Sequence, residues 1–390
     1  MLNPNTKSSV SHERPLSGDI PKVSVILSVG MAREEVRIVL ELLADQTLRD
    51  FEVLILEPGP PDQAPPLPSP PVQATRLWNS GPSRPEALNQ GLAAARGKYF
   101  TIINPGLRPA PFFLEALVRA LEVHPGAGQA FGNVFILDDR DRIIGRTIHE
   151  QIAYRDLMFK NQPQAAVLHR REAQLAIGEF DPGLEGAEDL DFMIRIAEGF
   201  PSALVPEPVA YHRLQAPRDE TQERKKSMAL QATVRKAWSR RQGRVDLSDF
   251  YPSLPACHQQ NEAVFAAAYD LGMLALKSPV WMDHLPVMLL EQAVSLNQDF
   301  IPAHINLVAA LGLNGLWETA LEKLHGIPED IHPKAAEWAE KVRQACRNRS
   351  APALSKLIIG AAPPYGKELF EKEEETKQVF SYTLAQASAI

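Results

Sequence analysis

The chain is poor in the residues that would announce several common classes of protein. Among 390 residues there are only two cysteines, Cys257 and Cys346, far apart. Neither a disulfide framework nor a cysteine-based zinc site follows from them. No stretch reaches the roughly 18 consecutive apolar residues of a membrane span; Leu357 to Ala362 is apolar but far too short. The formal net charge is -7, so no general nucleic-acid or anionic-membrane surface is indicated. The local exception is Arg224, Lys225 and Lys226 with Arg235, Lys236, Arg240 and Arg241, which read as the solvated face of one helix. Residues 1 to 20 lack a continuous apolar core and read as a disordered leader rather than a signal peptide, so the cytoplasm is the expected location.

What is present is ordinary globular composition, 45% hydrophobic and 23% charged, in a chain long enough for two domains. Lys22 to Val29 (KVSVILSV), Phe51 to Leu56 (FEVLIL) and Tyr99 to Ile103 are continuous apolar runs, as in strands buried on both faces. Between and after them, Glu34–Ala44, Arg84–Arg96 and Pro111–Val123 read as helices, the second ending at Gly97 and the third opening on proline. The alternation predicts an α/β fold with a parallel sheet covered on both faces. Pro58 to Pro71 holds eight prolines in fourteen residues and excludes a helix, leaving an extended surface loop.

From about Asn261 the pattern becomes all-helical. Leu307, Leu311, Gly315, Ala320 and Leu324 fall where a TPR helix pair places its packing positions, and Leu271–Gly272 and Ala293 repeat the idea. Leu271 and Leu307 lie 36 residues apart, close to the about 34 of a TPR period. Two repeats need flanking helices to be stable, such as Pro333 to Arg347. The expected division is a leader over 1–20, an α/β domain over 21–215, a helical linker over 216–260, a TPR-like domain over 261–350 and an exposed tail over 351–390.

Three separated groups of residues carry a resemblance. The first is Pro21-Lys22-Val23-Ser24-Val25-Ile26-Leu27 with Leu43-Ala44-Asp45-Gln46-Thr47 and Asp50-Phe51-Glu52. The second is Ala87-Leu88-Asn89-Gln90-Gly91 with Ala95-Arg96-Gly97-Lys98-Tyr99. The third is Gly178-Glu179-Phe180-Asp181 with Glu188-Asp189-Leu190-Asp191 and Arg195. In this order and spacing they resemble family 2 glycosyltransferases of the GT-A fold, over about residues 21 to 215. The resemblance implies an inverting hexosyl transfer from a nucleotide-sugar donor, with magnesium or manganese held by a DXD motif. It also implies that Asp189, with Glu188 beside it, matches the family's general base.

The donor half departs from that pattern. At the DXD position stands Asn104-Pro105-Gly106, and after the second strand Glu57-Pro58 replaces an aspartate pair. A bound cation contributes several kcal/mol at a leaving diphosphate. Its uncompensated loss costs on the order of a thousandfold. Arg84, Lys98 and Arg108 are the cations near the expected donor edge that could pair with phosphate. Tyr211-His212-Arg213 falls where relatives carry a tyrosine, arginine and histidine cluster beyond the acceptor site; His212 is either a metal or phosphate contact or a structural histidine after a strand. Asp138-Asp139-Arg140-Asp141 has DXD-like spacing but lies between two apolar runs and reads as a hairpin turn.

The expected function is therefore sugar transfer to an unknown acceptor through an altered DXD site. The alternative is an inactive GT-A-like scaffold that uses its TPR-like helices to bind a protein partner.

Overall fold

The structure is a computed structural model. It describes residues 20–28, 30–59, 72–79, 83–148, 154–159, 166–214, 219–241, 244–278, 284–327, 334–361, 363 and 367–372. The leader, the bulk of the proline-rich segment (60–71) and the end of the acidic tail (373–390) lie outside these.

The chain opens β1 (Val23–Leu27), α1 (Arg33–Ala44), β2 (Phe51–Pro58), β3 (Ala74–Asn79), α2 (Arg84–Ala94) and β4 (Tyr99–Ile103). The order in the sheet is β3-β2-β1-β4, all parallel. Every residue of β1 and β4 is buried, as continuous Val, Ile, Leu and Phe demand. Val23, Val25 and Leu27 pack against α1. Ile26, on the other face, packs with Leu54, Leu56 and the Ala87, Leu88 and Leu92 stripe of α2. The predicted two-sided covering is present, with β3 as an additional edge strand.

Beyond β4 the sheet is no longer parallel. The chain continues with β5 (Leu107–Pro109), α3 (Phe113–Val123), β6 (Gln129–Leu137), β7 (Ile143–Arg146), α4 (Tyr154–Phe159), β8 (Ala166–Arg170), α5 (Arg171–Ile177), α6 (Glu188–Gly199) and β9 (Ser202–Arg213). The sheet runs on from β4 as β8-β6-β9-β5, with β7 paired to β6. β4/β8, β8/β6, β9/β5 and β6/β7 are antiparallel, and β6/β9 is parallel. The parallel sheet expected from the sequence thus holds for β1 to β4, and beyond them the sheet is mixed. The Asp138–Asp141 cluster is the turn between β6 and β7, with Asp141 at φ 61.

The motif residues hold this frame together. Gln46 donates to Leu42 O and Ala110 O and accepts from Leu114 N at 3.1 Å, tying α1 to the start of α3. Glu52 accepts from Ser24 Oγ at 2.7 Å and from Arg96 N at 2.8 Å.

The remainder is helical: α7 (Glu220–Arg240), α8 (Leu247–Phe250), α9 (Gln260–Lys277), α10 (Leu285–Leu296), α11 (Ile301–Leu313), α12 (Trp317–Lys323), α13 (Ala335–Arg347) and α14 (Ala351–Lys356). Successive helices α9 to α12 pack on one another. Gly272 permits the close approach of α9 and α10, since a Cβ there would sit 3.1 Å from Leu290 Cγ. Gly315 is not the packing position expected of it; it turns the chain between α11 and α12 at φ 78. The small packing residue is Gly312, where a Cβ would meet Leu354 and Trp317. One apolar cluster joins Phe131, Leu190, Met193 and Leu204 of the sheet region to the buried faces of α9, α10 and α11. Among the described residues no helix is long and apolar enough to cross a membrane.

Candidate functional site

The parallel strands end at one edge, and in open α/β sheets that edge forms the crevice where ligands bind. Ser28 follows β1, Glu57 is the penultimate residue of β2 and Asn104 follows β4. Arg84 reaches the same edge as the first residue of α2, whose start is closed by Glu86 accepting from Ser83 N at 3.1 Å. Glu188 and Asp189 open α6, where carboxylates are favoured by the helix dipole.

Four of these residues meet around the guanidinium of the fifth, Arg84. Arg84 Nη2 donates to Asn104 Oδ1 at 2.7 Å and to Asp189 Oδ2 at 3.1 Å. Its Nε donates to Ser28 Oγ at 3.1 Å, and its Nη1 pairs with Glu188 Oε1. Asn104 Nδ2 donates in turn to Asp189 Oδ2 at 3.3 Å. Glu188 is 1% exposed, whereas the Asp189 side chain is 37% exposed. The turn that presents Asn104 requires Gly106: its φ is 87, and a Cβ would lie 2.7 Å from Arg213 O.

Glu57 belongs to a second cluster. It is 3% exposed and accepts from Arg33 Nη1 at 2.7 Å and from Arg76 Nε at 3.0 Å. The Arg76 guanidinium also lies over the Trp78 ring at 4.5 Å. Sequence reasoning missed Arg33 and Arg76. Arg76 sits on β3, whose alternating ATRLWN follows the proline-rich segment, and a lone arginine in such a strand carries no functional signal.

Below Asp189 lies a cavity of about 20 Å³ lined by Asn104, His169, Asp189, Ile102, Phe180 and Met193 among others. Its size suits a single water. His169, on β8, is wedged between Phe100 and Phe192 at ring separations of 5.0 and 5.3 Å. Its Nδ1 is buried without a hydrogen-bond partner among the described residues. Burial lowers its imidazole to about 3, so it is neutral at ordinary pH.

His212 does not join the arginine cluster. It sits on β9 opposite Leu107, behind Gly106, and burial lowers its imidazole too. Its neighbour Tyr211 stacks on Phe135. Lys98 precedes β4 at the end opposite Asn104 and lies over the Tyr99 ring, so it is not at the donor edge. Arg108 is paired with Asp141 at 3.0 Å. The basic residues of α7 are partly spent in ion pairs: Lys236 with Asp181, and Arg240 with Asp191 and Glu198.

The residues present do not fit a magnesium or manganese ion. At a nucleotide site such an ion needs one or two protein carboxylate oxygens left free to join the substrate's phosphates and water. Here the available oxygens, those of Asn104, Glu188 and Asp189, already converge on a guanidinium. Among the described residues no group of three or more histidine, cysteine, aspartate and glutamate side chains is placed to hold a metal.

Neither a protein-family model nor a curated protein matches the chain. Solved structures similar to it include a mannosyltransferase from Pyrobaculum calidifontis in complex with GDP-Man and Mn2+. That likeness has 16% identity over 87% of this chain and 88% of that one, with a TM-score of 0.45. S. aureus TarS in complex with UDP-GlcNAc is 13% identical over 86% and 90%, at a TM-score of 0.40. Glucosyl-3-phosphoglycerate synthase from Mycobacterium tuberculosis, in complex with Mg2+ and UDP, is 20% identical over 55% and 79%, at 0.37.

Proposed function

We propose that the chain transfers a sugar from a nucleotide-linked donor to an acceptor hydroxyl, with Asp189 as general base. The observation that carries this reading is the meeting of Asn104 and Asp189 at 3.3 Å, from positions 85 residues apart. Asp189 is the more exposed carboxylate of the pair, half-buried at the mouth of a crevice, where an acceptor hydroxyl can hand it a proton. A positioned base of this kind contributes roughly 100- to 10,000-fold. Glu188 fixes Arg84 and with it the first turn of α6. Asn104 and Arg84 offer hydrogen-bond donors toward the donor's phosphates. Glu57 pairs with Arg33 and with Arg76, which lies over Trp78, at the nucleotide end, and His212 backs the Asn104 turn.

The test is turnover of a panel of UDP- and GDP-linked sugars by the full chain, with water or simple glycosides as acceptors, in EDTA and in manganese. Turnover that disappears in Asp189→Asn supports the reading. No turnover of any donor, with the Asp189→Asn protein indistinguishable from the parent, removes it.

A second reading is favoured by a specific observation: Glu57, Glu188 and Asp189 are all already ion-paired to arginines. On that reading the chain is a catalytically inactive GT-A-like scaffold whose helices α9 to α12 bind a protein partner in the TPR manner. Micromolar binding of a nucleotide sugar counts against it; a partner bound by the full chain and lost when the half-exposed, mutually paired Glu291 and Lys323 are charge-reversed one at a time supports it.

A further inference from the structure

We propose that Arg84 is the site's own cation: the donor diphosphate takes its guanidinium over from Asp189, so donor binding runs without a divalent ion and also frees the base. This rests on the sugar-transfer reading above and specifies its chemistry.

Three observations lead to it. The guanidinium stands at the focus of the three oxygen-bearing side chains that would otherwise surround an ion: Asn104, Glu188 and Asp189. A guanidinium presents a planar fork that matches phosphate oxygens, which a neutral asparagine cannot do. Second, Arg84 has capacity to spare. Its side chain is 25% exposed, and its Nη1 serves Glu188 alone among the described residues, whereas Nη2 already serves Asn104 and Asp189. Third, its two carboxylate partners differ in what release would cost them. Glu188 is 1% exposed and would be stranded as an unpaired buried charge. Asp189 is 37% exposed and can be rehydrated once released.

An arriving diphosphate therefore displaces Asp189 and leaves the Glu188 pair standing. Before donor binds, Asp189 Oδ2 is occupied by Arg84 Nη2 and Asn104 Nδ2 and is not turned to an acceptor hydroxyl. After donor binds, Arg84 faces the diphosphate and Asp189 faces the acceptor. The exchange makes proton abstraction contingent on an occupied donor site.

The experiment is titration calorimetry of the full chain with UDP, GDP and inorganic pyrophosphate, each in EDTA and in manganese. It is repeated with Arg84→Gln and Arg84→Lys, whose folding is checked by circular dichroism. The proposal expects binding in EDTA, no gain from manganese, a loss of about tenfold or more in Arg84→Gln, and a partial loss in Arg84→Lys, which keeps the charge without the fork. Binding that requires manganese overturns it, on the unmodified chain alone. So does unchanged affinity in a folded Arg84→Gln protein. Pyrophosphate bound in EDTA through Arg84, with no nucleotide sugar turned over, leaves this proposal standing and removes the sugar-transfer reading. Turnover that depends on manganese does the reverse, and binding of none of the three ligands removes both.

Discussion

Asn89 and the backbone of Phe180 form a reciprocal pair: Asn89 Nδ2 donates to Phe180 O at 2.9 Å, and Asn89 Oδ1 accepts from Phe180 N at 2.8 Å. The side chain belongs to α2 and the backbone to the segment leading into α6, so this one amide joins the element bearing Arg84 to the element bearing Asp189. Asn89→Ala removes both bonds and leaves two backbone groups unpaired, at a cost of about 2–4 kcal/mol. Asn89→Asp keeps the shape but sets a carboxylate against a carbonyl, and is expected to destabilise in the same direction. Urea denaturation of the three proteins measures both.

A second prediction concerns Gly97, between α2 and β4. A Cβ there would stand 2.6 Å from Ser24 N and 2.7 Å from Tyr99 O. Both contacts are backbone atoms of adjoining parallel strands and cannot rotate aside. Gly97→Ala is expected to destabilise by about 1–3 kcal/mol, as overpacking does, while Gly126→Ala, which meets nothing within 4 Å, stays near the parent. Thermal melts of the two variants make the comparison.

These positions also show why part of the molecule was legible in the sequence. Gln46, Glu52, Asn89 and Gly97 each do a local mechanical job that only one or two residue types can do, so they stand out as fixed letters in short motifs. The buried parallel strands were legible because their continuous apolar runs have no other stable place in a small domain. The direction of β8 and β6 was not, because a buried strand reads the same whichever way it runs. Arg84 was legible as a cation near the donor edge, but its contact with Asp189 was not, because it spans 105 residues of sequence. Lys98 misled for a related reason. It is near Asn104 in sequence, but the whole of β4 separates them.

The third prediction follows from His169. Its folded imidazole titrates at about 3 because burial disfavours the cation, whereas the unfolded value is about 6.5. Between those values the unfolded chain binds the extra proton, so stability rises with pH across that window and is lost as the pH falls through it. The slope from this one group approaches about 1.4 kcal/mol per pH unit. His169→Phe, set between Phe100 and Phe192, removes that contribution. Denaturant midpoints from pH 7 down to pH 4 are expected to fall less steeply for the variant than for the parent; parallel curves would contradict the assignment.

The most direct measurement of the central claim is the release of nucleoside diphosphate from UDP- and GDP-linked sugars, followed with the parent chain, Asp189→Asn and Asp189→Glu side by side. The account predicts turnover by the parent that falls roughly 100- to 10,000-fold in Asp189→Asn. It also predicts partial retention in Asp189→Glu, which keeps the base but moves it by one methylene, with all three proteins melting within a few degrees of one another. Equal turnover by the parent and Asp189→Asn, or none by the parent with any donor, would contradict it.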